Sequence, residues 1–214
     1  MKDDLRKPKN LDIVFIDKNK TSIRGNLKYG RKVKIDINSI FEENNIIGNN
    51  VEIKANCILK NCKIGNNTVI KPYTFIEDSV IGNNCTIGPY ANLRNSNIIN
   101  DNVSIGNYVE VKKSNIGKRV KINHMSFIGD AIIEDDVIIG AGTITCNHDG
   151  KNHHKTTIKK GAYIGSGCKL IAPITLGENS TIGSGSTITR DAPKDRLTIS
   201  RVSQITIKNW ERIK

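Results

Sequence analysis

The sequence predicts an all-β fold, a parallel β-helix built from short strands and without a helical layer. Two observations lead to this prediction. Aliphatic residues recur at every sixth position over most of the chain, and aromatic residues make up only 5% of the 214 residues, with a single tryptophan. A period of six fits neither the α-helical turn of about 3.6 residues nor the alternation of an isolated strand. It fits a chain that makes a short strand, turns a corner and repeats this around a coil.

The repeat is a hexapeptide with an aliphatic residue, usually a glycine, two polar residues, a small residue and a variable residue. One copy, Ile81–Thr86, is followed at once by another, Ile87–Asn92. Most steps are six residues and some are five, so three repeats take 17 residues. Roughly 150 residues of such repeats would make about eight or nine coils, stacked about 4.8 Å apart. We expect the following side chains to fill a triangular interior: Ile35, Phe41, Ile47, Ile53, Leu59, Ile64, Ile70, Ile76, Ile81, Ile87 and Leu93, and later Ile158, Ile164, Leu170, Leu176, Ile182 and Ile188.

The five cysteines are explained by the repeat and form no disulfide pattern. Cys57, Cys85 and Cys168 occupy the small inward position of their hexapeptides, where a free thiol behaves as a small apolar group. We expect Cys62 and Cys146 to lie off that position. An odd number of cysteines without a Cys-x-x-Cys pair fits a reducing compartment, and the N-terminus lacks a signal peptide pattern, so we expect a cytoplasmic protein.

The formal net charge of +12 narrows the choice of ligands. The basic residues are scattered singly or in pairs, and aromatic residues are too few to supply stacking platforms for bases. No apolar run approaches the roughly 20 residues that a membrane helix needs. We therefore expect no nucleic-acid or membrane partner, whereas small anionic ligands such as phosphates fit the charge.

The longest interruption of the repeat lies between Thr145 and Ile158. A solenoid has no packing need for a polar loop there, so we predict that this loop protrudes and carries function. Three of the four histidines lie in it, and the fourth, His124, takes an outward position on a coil. Arg94 and Lys112 add cations on upstream coils, where they would suit a phosphate. Solvated surface side chains are the alternative explanation for these residues.

Four segments in order make the pattern specific: Ile87–Arg94, Gly106–Lys113, Gly140–Gly150 and Ile199–Val202. Together they resemble one bacterial family, the bifunctional N-acetylglucosamine-1-phosphate uridyltransferase/glucosamine-1-phosphate N-acetyltransferases, in its C-terminal acetyltransferase domain. The resemblance covers roughly residues 24–204. It implies a left-handed β-helix, a homotrimer whose active sites are shared between subunits, and acetyl transfer without a metal.

The family's N-terminal uridyltransferase domain has no counterpart in this sequence. We expect an N-terminal arm or linker remnant over residues 1–22, the β-helix domain over 23–192 and a C-terminal tail over 193–214. The resemblance implies that acetyl-CoA acetylates the amine of glucosamine 1-phosphate, and that a separate uridyltransferase completes UDP-N-acetylglucosamine. That nucleotide sugar supplies peptidoglycan and lipopolysaccharide synthesis.

Site residues carry over from the family position by position. His124 is implied as the general base, since an imidazole with an ordinary pKa of about 6.5 suits deprotonation of a sugar amine. Asn147 is implied to steer the amine and the intermediate. Sugar-phosphate contacts are implied for Arg94, Lys112, Phe127, Ile138 and His153, and acetyl-CoA contacts for Ala141, Asn147, His148, Ser166, Ser184 and Arg201.

Four of these positions depart from the family pattern. Phe127, His148, Ile138 and His153 stand where the family usually has tyrosine, tyrosine, asparagine and lysine, respectively. Losing a hydrogen bond to a charged group costs about 1.5–3 kcal/mol, so we expect weaker binding of the sugar phosphate with the base retained. These departures leave open a trimeric scaffold with weakened catalysis. The histidines leave open a zinc enzyme of the γ-carbonic-anhydrase kind, which would need about three converging ligands.

Overall fold

The computed structural model describes residues 12–208 and 210. These residues form short parallel strands wound into a β-helix, together with one 3₁₀ helix, Lys18–Lys20, and none of them forms a helix long and apolar enough to cross a membrane. The predicted all-β parallel β-helix is confirmed. The strands of the described part are β1 Ile13–Phe15, β2 Ser22–Tyr29, β3 Val33–Ile35, β4 Ile40–Ile47, β5 Glu52–Ile53, β6 Ile58–Lys60, β7 Lys63–Ile64, β8 Val69–Ile70, β9 Phe75–Glu77, β10 Val80–Ile81, β11 Thr86–Ile87, β12 Asn92–Arg94, β13 Ile98–Ile99, β14 Ser104–Asn107, β15 Glu110–Lys112, β16 Asn115–Ile116, β17 Lys121–His124, β18 Phe127–Gly129, β19 Ala131–Ile133, β20 Ile138–Ile139, β21 Ile144–Cys146, β22 Thr156–Ile158, β23 Tyr163–Ile164, β24 Lys169–Ile171, β25 Ile174–Leu176, β26 Thr181–Ile182, β27 Thr187–Ile188 and β28 Leu197–Thr198.

The column has three sides, and a typical coil contributes one strand to each. The first side is the sheet β1-β3-β5-β8-β11-β14-β17-β20-β23-β26-β28. The second side stacks β6, β9, β12, β15, β18, β21, β24 and β27, and the third stacks β7, β10, β13, β16, β19, β22 and β25. The long strand β4 belongs to both of the latter sides, because it pairs with β6 at one end and with β7 at the other.

The core is the aliphatic stack that the sixfold period predicts. Every predicted interior position, from Ile35 to Leu93 and from Ile158 to Ile188, is buried. Register keeps like residues in contact: Ile81 pairs with Ile64 on the coil before it and with Ile99 on the coil after it. β-Branched side chains suit such a pleated, buried surface, so the column needs little aromatic bulk.

Residues with positive φ turn the corners of the column. Asn50, Asn67 and Asn84 lie at one corner on successive coils with φ of 54°, 56° and 55°. Asparagine tolerates the left-handed region better than most residues do. The Asn50 side-chain nitrogen also donates to the Asn67 side-chain oxygen at 3.0 Å, so the corner residues link neighbouring coils.

The solenoid extends beyond the predicted domain limits of 23 and 192. At the start β1 pairs in register with β3, and at the end β28 pairs with β26. The repeat is hard to see in the first coil because the 3₁₀ helix, capped by the Asp17 carboxylate on the Asn19 amide at 3.0 Å, interrupts it. Of the predicted arm and tail, residues 1–11, 209 and 211–214 lie outside the described residues.

Four cysteines are buried in the core. Cys57, Cys85 and Cys168 lie there as predicted, and Cys62, which we expected off the inward position, is buried as well because the five-residue step before Ile64 turns it inward. Loss of hydration disfavours the thiolate, so burial raises the pKa of Cys57 to about 11 and that of Cys62 to about 12. Cys146 is half-buried.

We predict that iodoacetamide at pH 8 alkylates Cys146 first in the native protein, since the four other thiols are buried and not accessible to the reagent. Peptide mass spectrometry over a time course measures the order of labelling. In denaturant the five thiols should react at similar rates, which is the control. Labelling of native Cys57 or Cys62 as fast as Cys146 would contradict the packing described above.

Candidate active site

One edge of the column, where the first side meets the second, collects most of the predicted base and cofactor residues. Asn107 and His124 are register partners at the ends of β14 and β17. The pairings of the following strands on the first side continue this position down the column. We call the resulting stack the edge column; it consists of Asn107, His124, Ala141, Ser166 and Ser184. Since stacked strands lie about 4.8 Å apart, these residues are close neighbours.

Backbone hydrogen bonds hold the edge column together, and Arg201 closes its end. The Gly167 amide donates to the Ala141 carbonyl at 2.7 Å, and the Gly185 amide donates to the Ser166 carbonyl at 2.8 Å. The Arg201 guanidinium donates to the Ser184 carbonyl at 2.7 Å. A cation therefore stands at the end of the column farthest from His124.

Glycines lie next to the edge column on successive coils. A Cβ atom on Gly140 would lie 2.5 Å from the Ser166 amide nitrogen, and one on Gly165 would lie 2.5 Å from the Ser184 amide nitrogen. Only glycine fits where successive coils approach so closely. We call Gly140 and Gly165 the glycine strip; it runs parallel to the column axis. Ser166 and Ser184 are exposed at its border.

His124 is exposed, and its ring is held by Asn107. The Nδ1 atom lies 2.9 Å from the Asn107 side-chain oxygen. An amide oxygen only accepts hydrogen bonds, so Nδ1 carries the proton in the neutral imidazole and Nε2 keeps its lone pair. Asn107 was not among the predicted site residues, although it precedes His124 by one 17-residue coil.

A groove of about 290 Å³ begins at His124 and continues up the first side, away from Arg201. Most of the side chains that line it are polar, and Lys71 is the cation among them. The lining residues are Lys71, Thr86, Gly88, Pro89, Ser104, Gly106, Asn107, Asn123 and His124. This groove has the size and polarity for a small hydrophilic molecule beside the imidazole.

The predicted phosphate-binding cations lie on the second side. Arg94 and Lys112 are register partners on β12 and β15. The Glu110 carboxylate accepts a 2.8 Å hydrogen bond from Arg94 Nε and lies 2.6 Å from Nη2, which fixes the guanidinium. The half-buried Phe127 is the register partner of Glu110 on the next coil. Glu110 was not among the predicted site residues, although it lies within a quoted motif.

The candidate sugar-phosphate residues do not converge within one chain. Arg94, Lys112 and Phe127 lie on the second side, whereas Ile138 lies on the first, where it pairs with Lys121 and Tyr163. Ile138 is exposed, so its side chain contributes an apolar patch there. One ligand bound to a single chain would therefore not contact both the second-side residues and Ile138. A second protein surface would be needed.

The loop after β21 is an ordered hairpin. His148 and His153 form an antiparallel bridge, with ring centroids 4.8 Å apart. Asp149 accepts from the Asn152 and Lys151 amides at 2.7 and 2.8 Å, and its carboxylate lies 2.6 Å from His154 Nε2. These hydrogen bonds, led by that of the Asn152 amide, hold the pKa of Asp149 well below its usual range.

The base of the loop is joined to Asp130. The Asn147 side-chain nitrogen donates to the Asp130 carboxylate, and His153 Nδ1 lies 3.1 Å from the same oxygen. His153, which we expected to contact phosphate, therefore faces a carboxylate. Asn147 itself is buried. Asp130, like Asn107, was not among the predicted site residues.

The histidines do not assemble a metal site in the described part of the chain. There, no group of three or more His, Cys, Asp or Glu side chains is placed to hold an ion. The pairs His153–Asp130 and His154–Asp149 are separate contacts. Within one chain the described histidines therefore do not converge on a single point.

Three known protein families match parts of the chain. The GlmU-like C-terminal hexapeptide family matches residues 73–164, the GMPPB C-terminal domain 23–112 and the six-repeat bacterial transferase hexapeptide 155–190. The chain is 50% identical over 196 residues to the bifunctional protein GlmU of Ruthia magnifica subsp. Calyptogena magnifica, which covers 92% of this chain. The chain belongs to the GlmU C-terminal hexapeptide family. It is also 44% identical over 204 residues, 95% of its length, to GlmU of Baumannia cicadellinicola subsp. Homalodisca coagulata.

The chain spans 43% and 44% of the lengths of these two GlmU relatives. Among solved structures, LpxA, a UDP-N-acetylglucosamine acyltransferase from Bacteroides fragilis, aligns with a TM-score of 0.62 and 19% identity, over 85% of this chain and 70% of that one. At this identity the likeness supports the β-helix fold alone.

We predict that long-range ¹H–¹⁵N NMR above pH 8 finds neutral His124 protonated at Nδ1. Replacing Asn107→Ala should shift the proton toward Nε2, the site that an unrestrained imidazole prefers, because the accepting amide oxygen is gone. Asn67→Ala, at a corner remote from the site, is the matched control. An Asn107→Ala spectrum identical to that of the control would contradict the assigned hydrogen bond.

Proposed function

We propose that the chain is an acetyltransferase that moves the acetyl group of acetyl-CoA to the amine of glucosamine 1-phosphate. The observation that supports this most is the edge column, which stacks His124 directly on Ala141, Ser166 and Ser184 with Arg201 at the end. The GlmU relatives agree with this reading. Its product, N-acetylglucosamine 1-phosphate, would need a uridyltransferase to become UDP-N-acetylglucosamine, and we expect both steps in the cytoplasm.

Acetyl-CoA would lie along the glycine strip. Its extended arm would run parallel to the edge column past Gly140 and Gly165, and its phosphates would meet the Arg201 guanidinium. The exposed Ser166 and Ser184 would supply hydroxyl contacts along the way. The thioester would then lie beside Ala141, one coil from the imidazole of His124.

His124 would act as the general base. As the sugar nitrogen attacks the thioester carbonyl carbon, Nε2 takes one proton from that nitrogen while Asn107 stabilises the imidazolium through Nδ1. The new C–N bond forms first, and the C–S bond of the tetrahedral intermediate then breaks. The thiolate of coenzyme A leaves and takes the proton from the imidazolium, so His124 returns to its neutral form.

The phosphate of the acceptor would bind Arg94 and Lys112. Their stacked cations suit a dianion, and Glu110 holds the Arg94 guanidinium in a fixed orientation. Because these cations and His124 lie at different places around the column, we propose a homotrimer in which one chain supplies the imidazole and its neighbour the phosphate site. Phe127 and Ile138 offer no hydrogen bonds from their side chains, so we expect modest affinity for the acceptor.

We predict that a thiol reagent detects coenzyme A release only when glucosamine 1-phosphate and acetyl-CoA are both present. His124→Ala should lower kcat by about 10²- to 10⁴-fold, the usual contribution of a general base. Circular dichroism shows whether the variant is folded. Thiol release without the sugar phosphate, or a His124→Ala variant as fast as the wild type, would rule the mechanism out.

We also predict that inactive variants complement one another in mixed trimers. His124→Ala and Lys112→Ala chains refolded together in equal amounts should regain about one quarter of wild-type activity, because that share of random interfaces pairs an intact imidazole with an intact lysine. Each variant refolded alone is the control. A mixture as inactive as its two components would mean that each site lies within one chain.

A further inference from the structure

We propose that Asp130 is a positioning residue for the loop that begins at Asn147. Its carboxylate fixes the Asn147 side-chain amide so that the amide oxygen, and not the nitrogen, faces the bound substrates. The catalytic part of this inference rests on the proposed function. The structural part, a carboxylate that fastens the loop to the column, does not.

The backbone of Asp130 joins two parts of the candidate site. Asp130 follows β18 at the corner between the second and third sides, with φ of 48°. Its amide donates to the Lys112 carbonyl at 3.0 Å, and its carbonyl accepts from the Thr156 amide at 3.3 Å. One residue thus connects the coil of a predicted phosphate ligand with the segment where the loop returns to the column.

The side chain of Asp130 reaches the other end of the loop. It is only 18% exposed, and one of its oxygens contacts both Asn147 Nδ2 and His153 Nδ1. Asn147 is 7% exposed and packs over Gly129, where a Cβ atom would lie 2.7 Å from the Asn147 side-chain nitrogen and 2.7 Å from the Phe127 ring. The amide is therefore confined by contacts on several sides.

The carboxylate decides which way the Asn147 amide points. An ionised carboxylate only accepts hydrogen bonds, so the nitrogen of the amide must face Asp130. The oxygen then points away, and no described residue donates a hydrogen bond to it. Asn147 consequently offers an acceptor at the corner between the second and third sides, and in the proposed homotrimer that corner would belong to a site shared with a neighbouring chain. The chemistry that it would recognise is an N–H group, which is present in the sugar amine and in the amides of the acetyl-CoA arm.

This orientation assigns Asn147 a specific role. A side-chain oxygen can direct the lone pair of an attacking amine by accepting one of its N–H bonds. It cannot stabilise the oxyanion of the tetrahedral intermediate, which needs donors. Of the two roles that the resemblance implied for Asn147, steering of the amine is the one that fits.

The chain contains a matched control for this arrangement. Asp78 occupies the same corner on an upstream coil, with φ of 47°, and accepts from the Asn61 side-chain nitrogen at 2.8 Å. Replacing Asp78 by alanine therefore removes the same kind of corner hydrogen bond and imposes the same backbone strain, but far from the loop. Asp78 is exposed, so this control accounts for the backbone strain and the lost corner hydrogen bond, and thermal unfolding of both variants measures the remaining structural effect.

The first test compares steady-state kinetics of full-length variants. Asp130→Ala should lower kcat/KM about ten- to hundredfold, the usual effect of losing a charge-assisted hydrogen bond, and Asp78→Ala should stay within about twofold of the wild type. Asn147→Asp should also lower kcat/KM, because it places a second carboxylate against that of Asp130. The double variant Asp130→Asn with Asn147→Asp exchanges the amide and the carboxylate between the two positions. It again pairs one donor with one carboxylate and leaves an oxygen of residue 147 pointing outward. Its kcat/KM should therefore be at least about tenfold higher than that of Asn147→Asp alone.

The kinetic constants also identify the N–H group. A rise in KM for glucosamine 1-phosphate or a fall in kcat alone points to the sugar amine, whereas a rise in KM for acetyl-CoA points to the amides of its arm. Equal effects of Asp130→Ala and Asp78→Ala would overturn the proposal. So would an exchange variant no faster than Asn147→Asp, provided that circular dichroism shows both to be folded.

The second test does not depend on activity. Lys151 and Lys155 are exposed in the loop, so trypsin cleavage there reports how firmly the loop is held. Asp130→Ala should be cut several-fold faster than the wild type, and Asp78→Ala at the wild-type rate. If the wild type transfers no acetyl group, the proposed function fails while this assay still decides whether Asp130 fastens the loop. Equal cleavage of all three proteins would refute the structural part.

Discussion

Backbone hydrogen bonding between coils in constant register is the interaction on which the rest of the structure depends. It places each residue against its counterpart on the next coil, such as Ile64, Ile81 and Ile99 in the core. The same bonds decide what lies side by side on the surface, because core and surface positions alternate along every strand. The loop between β21 and β22 is inserted without disturbing this order, since Ile139 still pairs directly with Ile164. Residues far apart in sequence are thereby brought into one line along an edge.

The period of six predicted the interior well because burial constrains every sixth residue to be aliphatic. Ile81 and Ile182 lie where that period places them. The predicted limits of 23 and 192 left out β1 and β28, because a 3₁₀ helix interrupts the first coil and the last strand, Leu197–Thr198, follows Ile188 by more than one six-residue step. Cys62 was misassigned for a related reason: a five-residue step moves the inward position by one place.

The candidate site was predicted less completely than the core. Outward-facing positions are not constrained by packing, so they show no period in the sequence. Residues that match a family motif, such as His124 and Asn147, could be named from the sequence. Their partners could not be named from residue type. Asn107 and Asp130 each precede the residue they hold by 17 positions, one full coil. Counting by coils would therefore have found both. The contact of His153 with Asp130 has no such signal, because it depends on how the inserted loop folds back.

A flat-sided column has a further consequence for the proposed chemistry. Its sides are shallow, so the described part of a single chain offers an open groove at His124. An exposed apolar stripe borders the same edge: Tyr73 and Tyr90 stack with ring centroids 4.8 Å apart, Tyr90 and Tyr108 at 5.3 Å, and Met125 continues the line next to His124. Contiguous apolar surface of this kind usually marks an interface. A second chain packed there would cover the stripe and supply the missing wall beside the imidazole. Excluding water in that way would strengthen each electrostatic contact in the site, so assembly and catalysis would be coupled through the same edge.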